Sequence, residues 1–474
     1  MAKPVTASAA GKPVGASVPG RPRDAGLLLP GLSLGYFVVM LDTTIVTVAL
    51  PAIGKDLAGG LSSLQWVSNA YTVTFAALLL TAGVLTDRFG GRRVFLVGLW
   101  AFAALSAVCA VAGSMPILIG LRALLGVAGA LLVPSSLALI ASSCADPQAR
   151  AKALGVWAAL SGSGLVAGPV VGGLLADAFG WQSIFLVAVP ISLISVVTVT
   201  RSSVHTPVKA GRRVDLTGQI AAVLGLAALT YGLIGSGPAG WMSPQVLAAL
   251  AVSLVAAVVF VMAERRPEKD RHAAMLPARM FSSRTFSAGL LAGALVNFGL
   301  SGVLFVLSLY FQEAHGYSAS VAGAAFLPLT IPTAFNPIFT GRIVARVGAR
   351  VPATVGFLMM AFGTAVQAVF GGTSALDVTL CMIGLLLLGF GVSFAIPSLV
   401  TAVVGAAPKD LVGIASGALN SVRQTGAVLG VAVLGAVMAA GTSTASGARV
   451  ALVVAAVVLA IGAAVVAVFV GRRN

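Results

Sequence analysis

Charged side chains are scarce in this chain: Asp, Glu, Lys and Arg make up 9% of its 474 residues, against about 25% in an ordinary soluble domain. So few charges cannot coat a soluble globule of this length. Acids are the scarcer sign, 13 against 29 basic residues. Cys109, Cys144 and Cys381 are the three cysteines, each in or at the edge of an apolar block and without metal-ligand spacing. They read as small core residues, and no metal site is expected. No GxxxxGK(S/T) phosphate loop occurs, so ATP is not a direct energy source. HExxH and paired-cysteine patterns are missing too, which argues against an enzyme of a known type. The three histidines, His205, His272 and His315, fall in loops or at block ends.

What is abundant is apolar: 58% of the residues are hydrophobic and the mean hydropathy is +1.04. These residues come in blocks of about 20, the length that crosses a bilayer. The blocks recur along nearly the whole chain, which rules out a soluble core built around one buried helix. Fourteen helices are expected, near 27–52, 64–86, 93–112, 116–141, 152–176, 182–200, 216–236, 243–263, 285–312, 320–341, 351–371, 377–404, 411–441 and 450–470. Residues 1–26 are rich in Ala, Gly, Pro and Ser. The first apolar block is long and leads into further spans, unlike a cleaved signal peptide, so this stretch reads as a disordered cytosolic tail.

The formal charge of +16 raises nucleic acid as a partner. That reading needs a basic face on a soluble fold, whereas here the basic residues sit in short gaps between apolar blocks. With the N-terminus in the cytosol, the inner segments hold 25 of the 29 basic residues. The outer loops hold Lys55 and Arg449, and Arg122 and Arg423 fall inside helices. This is the positive-inside asymmetry of a multi-pass membrane protein. One missed or extra helix would scramble it. The expectation is a plasma-membrane protein with both termini cytoplasmic, the lipid bilayer as partner, and no nucleic acid.

The chain also repeats itself. Gly83, Arg88, Gly90 and Arg92 recur as Gly341, Arg346, Gly348 and Arg350 at an offset of 258. Gly126 and Pro134 recur as Gly389 and Pro397, offset by 263; Gly155, Gly164 and Gly168 recur as Gly417, Gly426 and Gly430, offset by 262. Three such close offsets imply two parallel six-helix halves, the signature of a rocking two-bundle transporter. The fold expected is an all-α membrane protein of two six-helix bundles, 27–200 and 284–474, joined by a linker, 201–283, that carries an inserted helix pair. The mixed-charge piece from Glu264 to Arg284 is expected along the cytosolic membrane surface.

At this point the motifs resemble a known family. "GVLTDRFGGRR" (Gly83 to Arg93) is similar to the loop signature of the major facilitator superfamily. "LRALLGVAGA" (Leu121 to Ala130) resembles its fourth-helix motif with a buried arginine, and "GSGLVAGPVVGG" (Gly162 to Gly173) the fifth-helix motif of antiporters. "LDTTIVTVALPAI" (Leu41 to Ile53), "LYFQEAHGYSASVAGAAFLP" (Leu309 to Pro328) and "GALNSVRQTGAVLG" (Gly417 to Gly430) resemble the fourteen-helix drug:proton antiporters. Within that group the chain is most similar to antibiotic-resistance exporters of the methylenomycin type. The resemblance implies export of a small molecule driven by a proton gradient, with no cofactor.

The residues carry a physical reading of their own. Asp42 is the one carboxylate well inside an apolar span, and a buried carboxylate costs kilocalories unless protonated or paired. By the helical rise of about 1.5 Å per residue, Arg122 on the fourth helix reaches a similar depth. The two can share a site in which burial favours the neutral carboxyl and Arg122 the ionised one. That balance suits a proton-coupling group; the alternative is a fixed ion pair that locks the bundle. Gly83, Asp87, Arg88, Gly90 and Arg92 form either a conformational latch at the inner end of the second helix or a plain topogenic charge cluster. Gly164, Gly168 and Gly172 share one helix face, with Pro169 and Gly173 beside them. They suit close helix packing, and the family resemblance adds a seam against leak. Asn69, Tyr71, Asn297, Tyr310, Asn336, Asn420, Arg423 and Gln424 are candidates for a substrate cavity, with interhelical glue as the alternative. The function expected is a proton-coupled exporter of a lipophilic small molecule that works as a monomer by alternating access. Transport of a specific metabolite, or a membrane sensor, is the competing reading.

Overall fold

The computed structural model describes residues 22–471, except 145, 203, 205, 207–214, 266–277, 373, 409 and 410. Every long element among them is a helix, as lipid demands: with no water to pair with, each backbone N–H and C=O must be satisfied within its own segment. The helices are α1 (Pro22–Asp56), α2 (Leu61–Phe89), α3 (Gly91–Cys109), α4 (Met115–Ser143), α5 (Pro147–Phe179), α6 (Ser183–Thr200), α7 (Leu216–Ala239) and α8 (Pro244–Glu264). They continue as α9 (Arg284–Leu309), α10 (Ala319–Ala325 plus Leu327–Val347), α11 (Arg350–Val369), α12 (Ala375–Gly405), α13 (Val412–Ala439) and α14 (Thr444–Phe469). With α10 taken as one bent span, fourteen helices among the described residues are long and apolar enough to cross a membrane.

Local chemistry places the ends. Side chains of Asp146, Asp215, Ser243, Ser283, Ser374 and Ser443 accept backbone N–H groups at the starts of α5, α7, α8, α9, α12 and α14, supplying partners that a first helical turn lacks. Gly90 (φ +86°) and Gly348 (φ +80°) end α2 and α10 in a conformation disfavoured for other residues. These two glycines are partners in the 258-residue repeat.

Several boundaries differ from expectation, and three differences stand out. First, α1 starts at Pro22, so 22–26 are helix rather than tail, while residues 1–21 lie outside the described residues. Second, α14 starts at Thr444, which moves Arg449 from an outer loop into the helix; the Ser443 cap and its reciprocal bond with Ser446 extend the helix past the edge of the apolar block. Third, α10 bends by 42° after Ala325, because Pro328 has no N–H to continue the ladder. The surface segment expected between Glu264 and Arg284 lies mostly outside the described residues.

Tertiary packing repeats with the sequence. Gly126 of α4 presses on the Tyr71 carbonyl of α2, and Gly389 of α12 on the Leu329 carbonyl of α10. The two carbonyls are themselves 258 residues apart. Likewise Gly164 of α5 meets the Phe37 carbonyl of α1, and Gly426 of α13 the Ala294 carbonyl of α9. Small residues allow these backbone approaches in lipid, where apolar burial gives little drive between helices. Helices α1–α6 thus form one bundle and α9–α14 a second of the same design. The inserted α7 lies against α8, α2 and α13, and α8 is peripheral, with 22% of its most apolar window buried against 78% in α9.

The two ends of the molecule differ. Arg88, Arg92, Arg150 and Arg346 gather at one, here the basic end. At the far end a single apolar core crosses both bundles, including Ile45, Val48 and Ile53 of α1 with Val303 and Leu307 of α9. Toward the basic end the clusters keep to one bundle each, and the first core continues there only through the second bundle, to Val466 and Val470. One cluster, with Phe95, Phe102 and Leu132, belongs to the first bundle; another, with Phe286, Val403 and Leu419, belongs to the second.

Candidate substrate cavity and coupling pair

A cavity of about 110 Å³ lies between the bundles at mid-depth, walled chiefly by α1, α2, α9 and α13. Apolar side chains such as Leu79, Leu300 and Ile396 supply much of its surface, and Asn69, Asn297, Asn420, Arg423 and Gln424 supply polar groups. Arg423 is the one charged residue in the lining. A mostly apolar hollow with a few convergent polar groups is the usual form of a small-molecule site.

Asp42 and Arg122 meet just outside this wall. The Arg122 Nη1–Asp42 Oδ2 distance is 2.5 Å, with the two side chains 1% and 4% exposed. Arg122 Nε donates to the Val67 carbonyl at 3.0 Å. The guanidinium also stacks over Tyr71, 4.7 Å from the ring centroid, and faces Phe185 at 5.9 Å, contacts that a cation favours. Thr43 and Thr44, the next residues along α1, line the cavity. The buried carboxylate is therefore one residue from the space a substrate would fill.

Three of the cavity candidates sit elsewhere. Tyr71 is fully buried under Arg122, its hydroxyl donating to Val39 O at 3.4 Å. Tyr310 bonds the Gly371 carbonyl and lines a separate pocket of about 300 Å³ with Phe311, His315 and Tyr317. Asn336 donates to Ser393 Oγ at 2.6 Å and joins α10 to α12. None of the three is in the cavity lining, and each bonds a group of a neighbouring helix or loop, as polar groups in spans do. The candidates in the cavity wall are Asn69, Asn297, Asn420, Arg423 and Gln424.

On α5, Gly164, Gly168 and Gly172 press on Phe37, Thr44 and Ile45 of α1. Gly173 points to the other bundle, against the Ala319 carbonyl of α10, while the Pro169 carbonyl meets Gly323. One helix therefore carries both an intrabundle seam and an interbundle contact. In the first turn of α3, Arg92 Nη2 donates to Thr200 O at 2.8 Å and ties α3 to α6. Gly83 faces Pro134, Arg88 is exposed beside Phe89, and Asp87 is half-buried in the last turn of α2.

The polar closure of the far end was not anticipated. Gln65 Nε2 reaches across to Val431 O at 3.0 Å and Ala432 O at 2.9 Å. Ser308 Oγ donates to Thr47 O at 2.7 Å, and Gln312 Nε2 to Val48 O at 2.9 Å. Asp177, at the end of α5, accepts the backbone N–H groups of Ala319 (3.1 Å) and Ser320 (2.8 Å) at the start of α10. Gln65 and Gln312 carried a usable signal, since an amide in or beside an apolar span needs a partner. Asp177 carried none, because an acid at a span end is ordinarily solvated.

Two bundles of one design, facing each other across a mid-depth cavity closed at one end, define a secondary transporter by architecture. Comparison with known proteins agrees. Residues 32–431 match the family model of the Major Facilitator Superfamily, and the chain belongs to that family. It is 34% identical over 445 residues to the methylenomycin A resistance protein of Bacillus subtilis (strain 168), covering 94% of each chain. To the tetracenomycin C resistance and export protein of Streptomyces glaucescens it is 34% identical over 413 residues, covering 87% of this chain and 75% of the relative. Among solved structures, a POT family transporter in complex with a thioalcohol-conjugated peptide superposes with a TM-score of 0.70 at 14% identity, over 93% of this chain and 95% of that one; at that identity the likeness concerns the fold. The protein is a membrane transporter and not an enzyme.

Proposed function

We propose that this protein exports a lipophilic small molecule, a drug or antibiotic, by alternating access in exchange for protons across the plasma membrane. The observation that carries this reading is the ion pair buried one residue from the cavity wall. In the exchange cycle Asp42 takes up a proton from the outer side when substrate is absent; when substrate binds from the cytosol that proton leaves to the cytosol and the ionised carboxylate pairs again with Arg122, which stays charged throughout. Similarity to resistance proteins for methylenomycin A and tetracenomycin C supports a drug-like cargo. Segments 27–200 and 284–474 are the rocking bodies, 201–283 links them, and the unit works as a monomer. Energy comes from the ion gradient, with no cofactor.

The basic end faces the cytosol under the positive-inside rule, so both termini are cytoplasmic and the closed far end is the outer gate. The state described is then inward-facing. Cysteines placed at Ser62 and Ala239 are expected to react with a membrane-impermeant thiol reagent from outside intact cells, and one at Gly91 only after lysis. Labelling at Ala239 from the cytosol alone would refute both the orientation and the inserted pair.

Asp87 and its loop act as the inner latch, engaged when the cavity faces outward. The export reading itself is tested by expressing the gene in an efflux-deficient host and measuring resistance to a panel of antibiotics and dyes. The expected result is raised tolerance to at least one lipophilic compound, abolished by a protonophore. Unchanged tolerance across the panel with the protein present in the membrane would count against export of drugs.

A further inference from the structure

The two intramembrane arginines are treated differently. Arg122 has a carboxylate, a carbonyl and an aromatic face as partners. Arg423 has amides instead. Its Nε donates to Asn297 Oδ1 at 3.3 Å and its Nη1 to Asn420 Oδ1 at 3.4 Å. Asn297 Nδ2 in turn donates to Gln424 Oε1 at 3.3 Å. No carboxylate pairs with Arg423 among the described residues, and none lines the cavity. A cation in this setting is costly unless an anion or a set of dipoles offsets it, and the amide oxygens do so only in part.

The geometry leaves donors over. Arg423 Nη2 and the amide N–H groups of Asn420 and Gln424 have no acceptor among the described residues, while the carbonyl oxygens of these amides are already engaged. All three residues belong to the cavity wall. Around Arg423 the unengaged amide groups of Asn420 and Gln424 are thus donors, and Arg423 is the one charged residue of the lining. A planar guanidinium with flanking N–H groups is the complement of a carboxylate, which accepts two parallel bonds. Leu79, Leu300 and Ile396 give the same cavity apolar surface.

We propose that Arg423, with Asn420 and Gln424, recognises the carboxylate of a singly anionic lipophilic substrate, so that the transported class is lipophilic acids rather than lipophilic cations. This rests on the export reading above and adds the chemical class of the cargo. The positive field of Arg423 repels a cationic amphiphile from the same hollow, where no acid of the lining is available to receive it.

Equilibrium dialysis of the purified protein in detergent tests this with three probes of one scaffold: 1-naphthaleneacetate, its methyl ester and 1-naphthylmethylamine. Wild type is expected to bind the acid about 10-fold or more tighter than the ester, with the amine weakest. Arg423→Gln should weaken the acid on the order of 10- to 100-fold and leave the ester within about twofold, with Arg423→Lys in between. Asn420→Asp supplies an internal carboxylate beside Arg423 and, without stripping a buried charge of its partners, should also lose the acid and keep the ester. Equal binding of acid and ester by wild type overturns the proposal. So does an equal loss of both in Arg423→Gln, the result if Arg423 merely tethers α13 to α9, or unchanged acid binding in Asn420→Asp. Antibiotic export without acid discrimination rejects this site and spares the exporter reading; acid discrimination without export does the reverse.

Discussion

Replacing Asp42 by Asn is expected to abolish efflux against a gradient while the protein still reaches the membrane. The substitution keeps size and one hydrogen-bond acceptor but removes the carboxylate beside the cavity wall. With no site to load and release a proton, substrate movement is uncoupled from the proton gradient. The variant also leaves Arg122 without its counter-charge. Losing one partner of a buried pair costs about 3–5 kcal/mol in general, so membrane abundance must be measured beside transport. In proteoliposomes, substrate exchange at equal concentration on both sides should persist, because it needs no net proton movement, while uphill transport driven by a pH step should vanish. Uphill transport at the wild-type rate would remove Asp42 from the coupling mechanism. Loss of both modes in a properly folded variant would instead assign the pair the role of a structural lock.

A leucine at Gly173 should produce the second large effect. A side chain there collides with the Ala319 backbone of the opposite bundle, so the far end cannot close without moving α5 from α10. Closure also brings in the Asp177 bonds to Ala319 and Ser320, which the same displacement breaks. Protein interiors do not absorb such overlap, and overpacking costs about 1–3 kcal/mol, or roughly 5- to 150-fold in a two-state equilibrium. The variant should therefore accumulate with its far end open and turn over slowly. Asp87→Asn, at the opposite latch, should displace the population the other way, toward the state described here. Spin-label pairs spanning each mouth would read both shifts. Should both variants move the distances in the same direction, or Gly173→Leu leave the far mouth closed, the two-gate mechanism is wrong.

Much of this was legible in the chain, for reasons that differ from residue to residue. The Asp42–Arg122 contact could be anticipated because two charges at matching depth in an apolar core have few alternatives to each other. The glycine face of α5 was visible because a period of four residues needs no knowledge of the partner helix. Tyr71, Tyr310 and Asn336 were misplaced for a common cause. A polar residue in a span reveals that it needs a partner, but not whether that partner is a neighbouring helix or the cavity. Gln65 and Gln312 posed the same ambiguity, and both join the two bundles by binding backbone carbonyls that no sequence pattern marks.

The sequence by itself determined the fourteen spans, their alternation and the twofold repeat. Each is a property of a segment or of spacing: transferring some twenty residues into hydrocarbon depends on their summed polarity, and topogenic charge acts loop by loop. Tertiary structure decided the rotation of each helix about its own axis, which hydropathy does not sense because the sum over a segment is the same for every rotation. Rotation sends Arg122 to a carboxylate and Arg423 to a cavity, and it turns Gly172 toward α1 while its neighbour Gly173 meets the other bundle. Only packing all the helices together selects among such rotations, since the close backbone contacts and the hydrogen bonds across the interface must be satisfied at once.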